Sequence, residues 1–394
     1  MDIFFTEEKL ACRIDALAPW RMRDAIKAHG LRMMACPPEE VNPSPPPMDS
    51  GWTEAVLGQE WSGRDKYLWL TCDLEFPAQW NGRQLVGLFD FGVTGSCSTY
   101  GFEALLDGVP FQGVDTHHQE VYFPEHFAGR TVPVVFRLWS GLEGGGVPRI
   151  MTHVFRQAET AWLDESVDQL YYAGRMILET LPLLSDNDPV RTALRNALNQ
   201  ALLEVDWRDE GSTSFHASVQ TAWGTLDRLL NSMDKQSVVD LVCVGHTHID
   251  VAWLWRYKHT REKSARSFST VLRLMEQYPE YTFLQSQPQL YEYIKNDFPE
   301  IYEGIRQKIR EGRWEVDGGM WIEADCNIPS GESLTRQILV GTRFTEKEFG
   351  TRMHYLWLPD VFGYSWALPQ ILKKSGLDTF ITTKISWNEC NQMP

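Results

Sequence analysis

The sequence predicts a multidomain α/β protein, and three changes of pattern along the chain carry that reading. Residues 51–160 alternate short aromatic and β-branched runs with Gly, Asn and Asp, residues 161–236 switch to a three-to-four-residue apolar period, and from Asp240 apolar strand runs alternate with helix-length segments. The first pattern predicts an antiparallel β-sandwich. The second predicts amphipathic helices linking two regions, and the third predicts parallel strands joined by right-handed crossovers. At 394 residues the chain is long enough for two or three such units with separate cores.

Taken in order, residues 1–50 read as an N-terminal arm. It holds a helical segment around Pro19 to His29 and then the proline-stiffened connector Asn42-Pro43-Ser44-Pro45-Pro46-Pro47. The sandwich strands are exemplified by Tyr67-Leu68-Trp69-Leu70-Thr71-Cys72-Asp73-Leu74 and Val132-Pro133-Val134-Val135-Phe136-Arg137-Leu138. In the helical linker the apolar stripe runs through Leu163, Val167, Leu170 and Tyr171, breaks at Leu181-Pro182, and resumes at Leu194, Leu198 and Leu202. Stripes of this kind are core and carry no chemistry. Residues 237–394 contribute strands at Leu241 to Gly245, Tyr281 to Leu284, Trp314 to Val316, Tyr355 to Leu358 and Thr379 to Thr382. Ligands in such folds collect beyond the carboxyl ends of the strands. His248 and Asp250 follow the first strand, Asp317, Glu323 and Asp325 the third, Asp360 the fourth and Lys384 the fifth.

Composition narrows the function. A net charge of -16 and a pI near 5.1 work against sequence-independent nucleic-acid binding, which needs clustered Lys and Arg on phosphates. The mean hydropathy of -0.33 and the lack of a long uncharged apolar run leave no membrane-spanning helix. A neutral polar substrate fits better. The N-terminus carries Glu7 and Glu8 where a secretory signal carries basic residues, and the seven cysteines are odd in number with no Cys-x-x-Cys pair. These features predict a cytoplasmic protein with reduced thiols.

The most informative run is Val242-Cys243-Val244-Gly245-His246-Thr247-His248-Ile249-Asp250-Val251-Ala252-Trp253. His246, His248 and Asp250 share a face if the chain stays extended, which would bring nitrogen and oxygen ligands to one divalent ion. Zinc suits that donor set, and manganese and cobalt stay open. The competing reading is that these side chains hydrogen-bond to loop backbone. Asp360 ends the apolar run Tyr355-Leu356-Trp357-Leu358-Pro359 and precedes Val361-Phe362-Gly363-Tyr364. An ionised carboxylate among aromatics is costly unless something offsets its desolvation. A metal ion would do so and would hold Asp360 deprotonated for attack on an electrophilic carbon, whereas the competing role is the N-cap of a helix over Ser365 to Lys374.

Together these stretches resemble the glycoside hydrolase family 38 α-mannosidases, in particular the bacterial and cytosolic branch. The resemblance rests on Gly245 to Trp255, on Gly312-Arg313-Trp314-Glu315-Val316-Asp317-Gly318-Gly319-Met320-Trp321, and on Trp357 to Tyr364. Leu106-Asp107-Gly108-Val109-Pro110-Phe111-Gln112-Gly113-Val114-Asp115 also resembles the ancillary β-domain of that branch. The resemblance implies that residues 237–394 are the first part of a (β/α)7-barrel-like catalytic domain. It implies a zinc ion, or cobalt or manganese, on His248, Asp250 and Asp360, with Asp360 also the nucleophile. It further implies that Trp253 packs under the sugar, that Phe362 lines the same pocket and that Lys384 is a basic residue near the substrate. Core packing competes for Trp253 and a solvated loop charge for Lys384. His246 would orient the metal loop through a hydrogen bond rather than bind the ion. Glu323 and Asp325 are weaker candidates, since acids on a loop are commonly solvated.

The implied reaction is retaining hydrolysis of terminal α-mannosides in oligosaccharides, with a covalent mannosyl ester on Asp360 and the metal holding the 2- and 3-hydroxyls. In the family, a fourth ligand (a histidine) and the general acid lie further along the chain than Pro394. The chain is therefore read as a fragment or a split subunit whose second chain would supply the remainder. Two rivals stand beside this: a zinc-dependent polysaccharide deacetylase, whose metal activates water, and a non-enzymatic sugar-binding or assembly subunit.

Overall fold

A computed structural model describes residues 6–38, 40–92, 102–234 and 239–387. Helix α1 (Thr6–Leu17) comes first. The strands that follow are β1 (Met22–Lys27), β2 (His29–Cys36), β3 (Thr53–Glu54), β4 (Glu60–Gly63), β5 (Tyr67–Phe76) and β6 (Leu85–Asp90). They continue with β7 (Phe102–Leu106), β8 (Val109–Val114), β9 (Glu120–Phe123), β10 (Arg130–Trp139), β11 (Met151–Val154) and β12 (Gln157–Leu163). All their pairings are antiparallel. One sheet runs β3-β2-β5-β10-β7-β8, a second β1-β12-β6-β9, and β11 pairs with β4.

β5 and β10 form the longest ladder, unbroken from Arg130 opposite Phe76 to Trp139 opposite Tyr67. Along β10 the alternation sends Val132, Val134, Phe136 and Leu138 into the core. There Phe136 meets Phe89 of the second sheet, ring centroids 4.8 Å apart, so the two sheets share one apolar layer. Each fully buried side chain of this size contributes roughly 1.5–3 kcal/mol.

The helix expected around Pro19 to His29 is a correction. Residues 22–27 and 29–36 are extended because each finds a ladder partner: β1 pairs with β12, and β2 with β5 and β3. Pairing with distant strands overrides local propensity here. Residues 22–36 of the expected arm thus lie within the sheets. Residues 6–17 pack elsewhere, with α2 (Glu165–Thr180), α3 (Pro189–Leu203) and α4 (Thr213–Ser232). Leu10 and Ile14 join Leu170, Leu198 and Phe215 in a core of their own. Side-chain caps start these helices. Asp164, Asp188 and Ser212 accept from the backbone N–H of Val167, Val190 and Phe215 at 3.3, 2.8 and 3.1 Å.

The last region alternates strands and helices: β13 (Gly245–His246), α5 (Tyr257–Gln277), β14 (Phe283–Gln285), α6 (Pro288–Asp297), α7 (Pro299–Arg310) and β15 (Trp314–Val316). α8 (Gly331–Phe349), β16 (Tyr355–Trp357), α9 (Leu368–Ser375) and β17 (Thr379–Ile381) complete it. β13-β14-β15 are parallel, as are β16-β17, and parallel bridges of Gly318 with Leu356 and of Cys326 with Tyr364 join the two groups. The first strand is shorter than expected. Pairing with β14 begins at Gly245, while Leu241 and Val242 are exposed and have no ladder partner among the described residues. No helix in the described residues is long and apolar enough to cross a membrane. Cys36, Cys72 and Cys326 are buried and Cys12 and Cys243 exposed, all as free thiols, and Cys97 and Cys390 fall outside the described residues.

A buried charge network docks α5 onto the larger sheet. Arg137 of β10 meets Glu262 of α5 at 3.1 Å, with side chains 4 % and 1 % exposed. Glu262 also accepts from Tyr67 Oη at 2.5 Å and lies 3.4 Å from Lys258 Nζ. Arg137 donates to the carbonyls of Val41 and Glu40 at 3.0 and 2.9 Å. Beside it, Trp139 stacks on His259, whose Nε2 lies 2.8 Å from Asp65 Oδ1. α5 begins just past the His248 loop, so this docking sets where that loop starts its return.

Candidate metal and substrate site

The parallel strands end on one side of the last region, and the loops leaving them carry the site. The pairing with β14 ends at His246. His246 and His248 meet different oxygens of one carboxylate, that of Glu323. His248 Nδ1 donates to Glu323 Oε2, and His246 Nε2 lies 3.6 Å from Oε1. The other ring nitrogen of His248, Nε2, lies 3.2 Å from Asp250 Oδ1 and 3.6 Å from Asp360 Oδ2. The structure thus brings His248, Asp250 and Asp360 together from two different strand groups.

Asp360 is not a helix cap. α9 starts at Leu368 after Ala367, which provides no side-chain cap. Its desolvation is offset by a cation of the chain itself: Lys384 Nζ sits 2.6 Å from Asp360 Oδ1, with side chains 15 % and 36 % exposed. Lys384 is therefore paired rather than solvated. Its ammonium also lies 4.8 Å from the ring centre of Phe362, a residue otherwise exposed. Trp253 is exposed too and meets Trp255 edge-on at 5.4 Å, so it is not core. Trp255 Nε1 donates to the Asp250 carbonyl at 3.2 Å, closing the loop that presents Trp253.

Glu323 departs from its expected solvated state: its side chain is 2 % exposed. Ser286 Oγ donates to Glu323 Oε1 at 2.6 Å, and Gln287 Oε1 accepts from the Glu323 backbone N–H at 3.2 Å. Gln287 Nε2 donates in turn to the Ile249 carbonyl at 2.8 Å, and Gln285 Nε2 to the Thr247 carbonyl at 3.3 Å. All three residues are buried. Gly318 makes the close approach possible, since at its φ of +133° a Cβ would fall 2.6 Å from the Ser286 carbonyl oxygen. The signal the local sequence offers for Gln285-Ser286-Gln287 is a run of three polar residues at the end of a buried strand. Asp325 is exposed and accepts from the backbone N–H of Asn327 and Ile328 at 2.7 and 3.3 Å. Asp317 is buried and accepts from the backbone N–H of His354 and Tyr355, tying down the start of β16.

The electrostatics favour a cation. Burial lowers the His248 pKa, but hydrogen bonds to Asp250 and Glu323 outweigh it and raise the value to about 10. His246 moves the other way, its imidazole pushed down by burial despite Glu323. Among the described residues no group of three or more His, Cys, Asp and Glu side chains forms a ready-made metal cage. The distance of each carboxylate from His248 Nε2 nonetheless suits one. Two ligands about 2.1 Å from a tetrahedral zinc are about 3.4 Å apart, which the 3.2 and 3.6 Å separations bracket. One imidazole with two carboxylates is a fitting donor set, and an entering ion would replace the His248–Asp250 hydrogen bond.

Residues 238–394 match the family described as the glycosyl hydrolases family 38 N-terminal domain. Over 161 residues the chain is 48% identical to alpha-mannosidase G of Dictyostelium discoideum, an alignment covering 41% of this chain and 15% of that protein. It is 44% identical over 162 residues to an alpha-mannosidase of Saccharomyces cerevisiae, covering 41% and 15%. With alpha-mannosidase 2C1 of Homo sapiens the identity is 47% over 150 residues, covering 38% and 14%. The matched stretch spans 14% to 15% of the length of these curated relatives.

Proposed function

We propose, from a chain whose residues 238–394 belong to glycosyl hydrolase family 38, that it serves the retaining hydrolysis of terminal α-D-mannosyl residues in oligosaccharides. The observation that carries this reading is the meeting of His248, Asp250 and Asp360 around one imidazole nitrogen. The parallel strands are read as the first part of a (β/α)7-barrel-like catalytic domain. The names of the relatives favour mannoside hydrolysis over the deacetylase alternative and give no support to a second chain. The cytoplasm suits the free thiols of the described cysteines.

His248, Asp250 and Asp360 would hold the divalent ion, zinc or else cobalt or manganese. When bound, it supplies positive charge that orients the sugar hydroxyls. Asp360 is the nucleophile: its carboxylate oxygen attacks the anomeric carbon as the glycosidic bond breaks and the leaving oxygen takes a proton from a general acid, giving a mannosyl ester that water hydrolyses to mannose and the free carboxylate. Lys384 pairs with Oδ1 of Asp360 and leaves Oδ2 on the side of His248. Trp253 and Phe362 offer the exposed apolar faces on which a pyranose ring rests. His246 remains inside, against Ser286 and Trp357.

The test is release of the aryl alcohol from an aryl α-mannoside in the presence of zinc or cobalt. Asp360→Ala and His248→Ala are each expected to abolish turnover, and His248→Ala also to lose the bound cation. Near-normal turnover by Asp360→Ala would refute the nucleophile assignment.

A further inference from the structure

We propose that Glu323, gripped by Ser286 and Gln287, is the positioning residue that aims His248 at the cation, an inference that rests on the metal reading above. The two Glu323 oxygens are divided between tasks. Oε2 takes the Nδ1 proton of His248, and Oε1 takes the Ser286 hydroxyl proton at 2.6 Å. With the Nδ1 proton held by Glu323, an ion that displaces the proton Nε2 shares with Asp250 would meet the ring lone pair on the nitrogen that faces Asp250 and Asp360. A buried carboxylate with both oxygens engaged cannot swing, so the ring plane is set by the protein interior rather than by the exposed loop.

The same grip reaches the backbone of the loop. Gln287 holds Glu323 through the Glu323 N–H and holds the loop through the Ile249 carbonyl, one residue on either side of which stand His248 and Asp250. Gln285 repeats the hold at Thr247. Three buried polar side chains at the end of β14 therefore fix both the carboxylate that orients the ligand and the chain that carries it. The buried amides and hydroxyl find partners only in this arrangement, so moving either the loop or Glu323 would strand them. His246 lies against the same carboxylate, at 3.6 Å, but on the oxygen that Ser286 occupies, and its ring rests 5.0 Å from that of Trp357.

Cobalt ion alone serves as the probe, titrated into the full chain with a competing chromophoric chelator, with the visible cobalt spectrum recorded alongside. Glu323→Gln, which keeps the shape but removes the charge, is expected to weaken cobalt binding about 10–100-fold and to alter the cobalt spectrum while the melting curve stays in place. Retention of wild-type affinity within about threefold, with an unchanged spectrum, would overturn the proposal. Should Glu323→Gln fail to fold, Ser286→Ala removes one hydrogen bond and leaves the charge. A weakening by more than about threefold then supports the role, and wild-type affinity overturns it. His248→Ala separates the two readings. If wild type and His248→Ala bind cobalt equally poorly, the metal reading fails and this inference falls with it. If wild type alone binds while Glu323→Gln matches it, only the role of Glu323 is lost.

Discussion

Replacing Arg137 with Met takes the guanidinium away from Glu262, whose side chain is 1 % exposed, and the structure sets the size of the effect. At 3.1 Å and an effective dielectric of about 20, the pair attracts by about 5 kcal/mol, a gain set against several kcal/mol of desolvation for each ion. Removing one partner strands the other, at a cost of about 3–5 kcal/mol. Lys258 Nζ, 3.4 Å from Glu262, holds the expectation for Arg137→Met to about 3 kcal/mol. Glu262→Met strands Arg137 instead, but the Val41 and Glu40 carbonyls still accept from it, so the cost is again about 3 kcal/mol. The double variant leaves neither member of the pair stranded, and Lys258 keeps the Pro38 carbonyl, so its loss is expected to fall at least about 2 kcal/mol short of the summed singles. Amide hydrogen exchange along α5 and β10 reads these opening free energies directly. Single losses under about 1 kcal/mol, or a double variant equal to the sum, would refute the view that this pair docks the helix on the sheet.

Two further outcomes follow from the site and the sheets. Zinc or cobalt at about 100 times its dissociation constant should stabilise the folded chain by about 2.7 kcal/mol, seen as a rise in melting temperature that His248→Ala lacks. An equal rise in both proteins would place the ion elsewhere. His153 is buried, stacks on Trp61 and donates from Nε2 to the Ser140 carbonyl at 3.0 Å, and burial holds its pKa below the ordinary 6.5. The unfolded chain therefore takes up this proton first, so the contribution of the neutral ring is full above about pH 6.5 and shrinks as pH falls below it. In urea melts from pH 7.5 to 5.5, His153→Gln is expected to flatten that decline, and an unchanged slope would count against the assignment.

Much of the last region is legible in sequence because its strands are short, apolar and bounded by polar loops. Tyr355 to Leu358 and Trp314 to Val316 lie within a residue of the observed β16 and β15. The nearness of Asp360 to His248 follows from both residues leaving strands at the same end, which a period-based reading anticipates. Glu323 was harder. Its burial depends on Ser286 and Gln287, some 37 residues earlier, and on Gly318 letting two backbones touch, none of which has a local pattern. The helix expected around Pro19 to His29 gives way to strands for a related reason. Met, Ala, Lys and Arg favour helix in isolation, but Met22–Lys27 and His29–Cys36 lie beside β12 and β5, and cross-strand pairing decides.

Between the two groups of parallel strands, joined by the isolated bridges of Gly318 with Leu356 and Cys326 with Tyr364, runs a seam with His248 and Asp250 on one bank and Asp360 and Lys384 on the other. A cation gripped from both banks would act as a rivet. Binding would then do mechanical work as well as chemical, since slippage along the seam would have to break coordination, and sugar that reaches for the ion would find the two banks already locked in register.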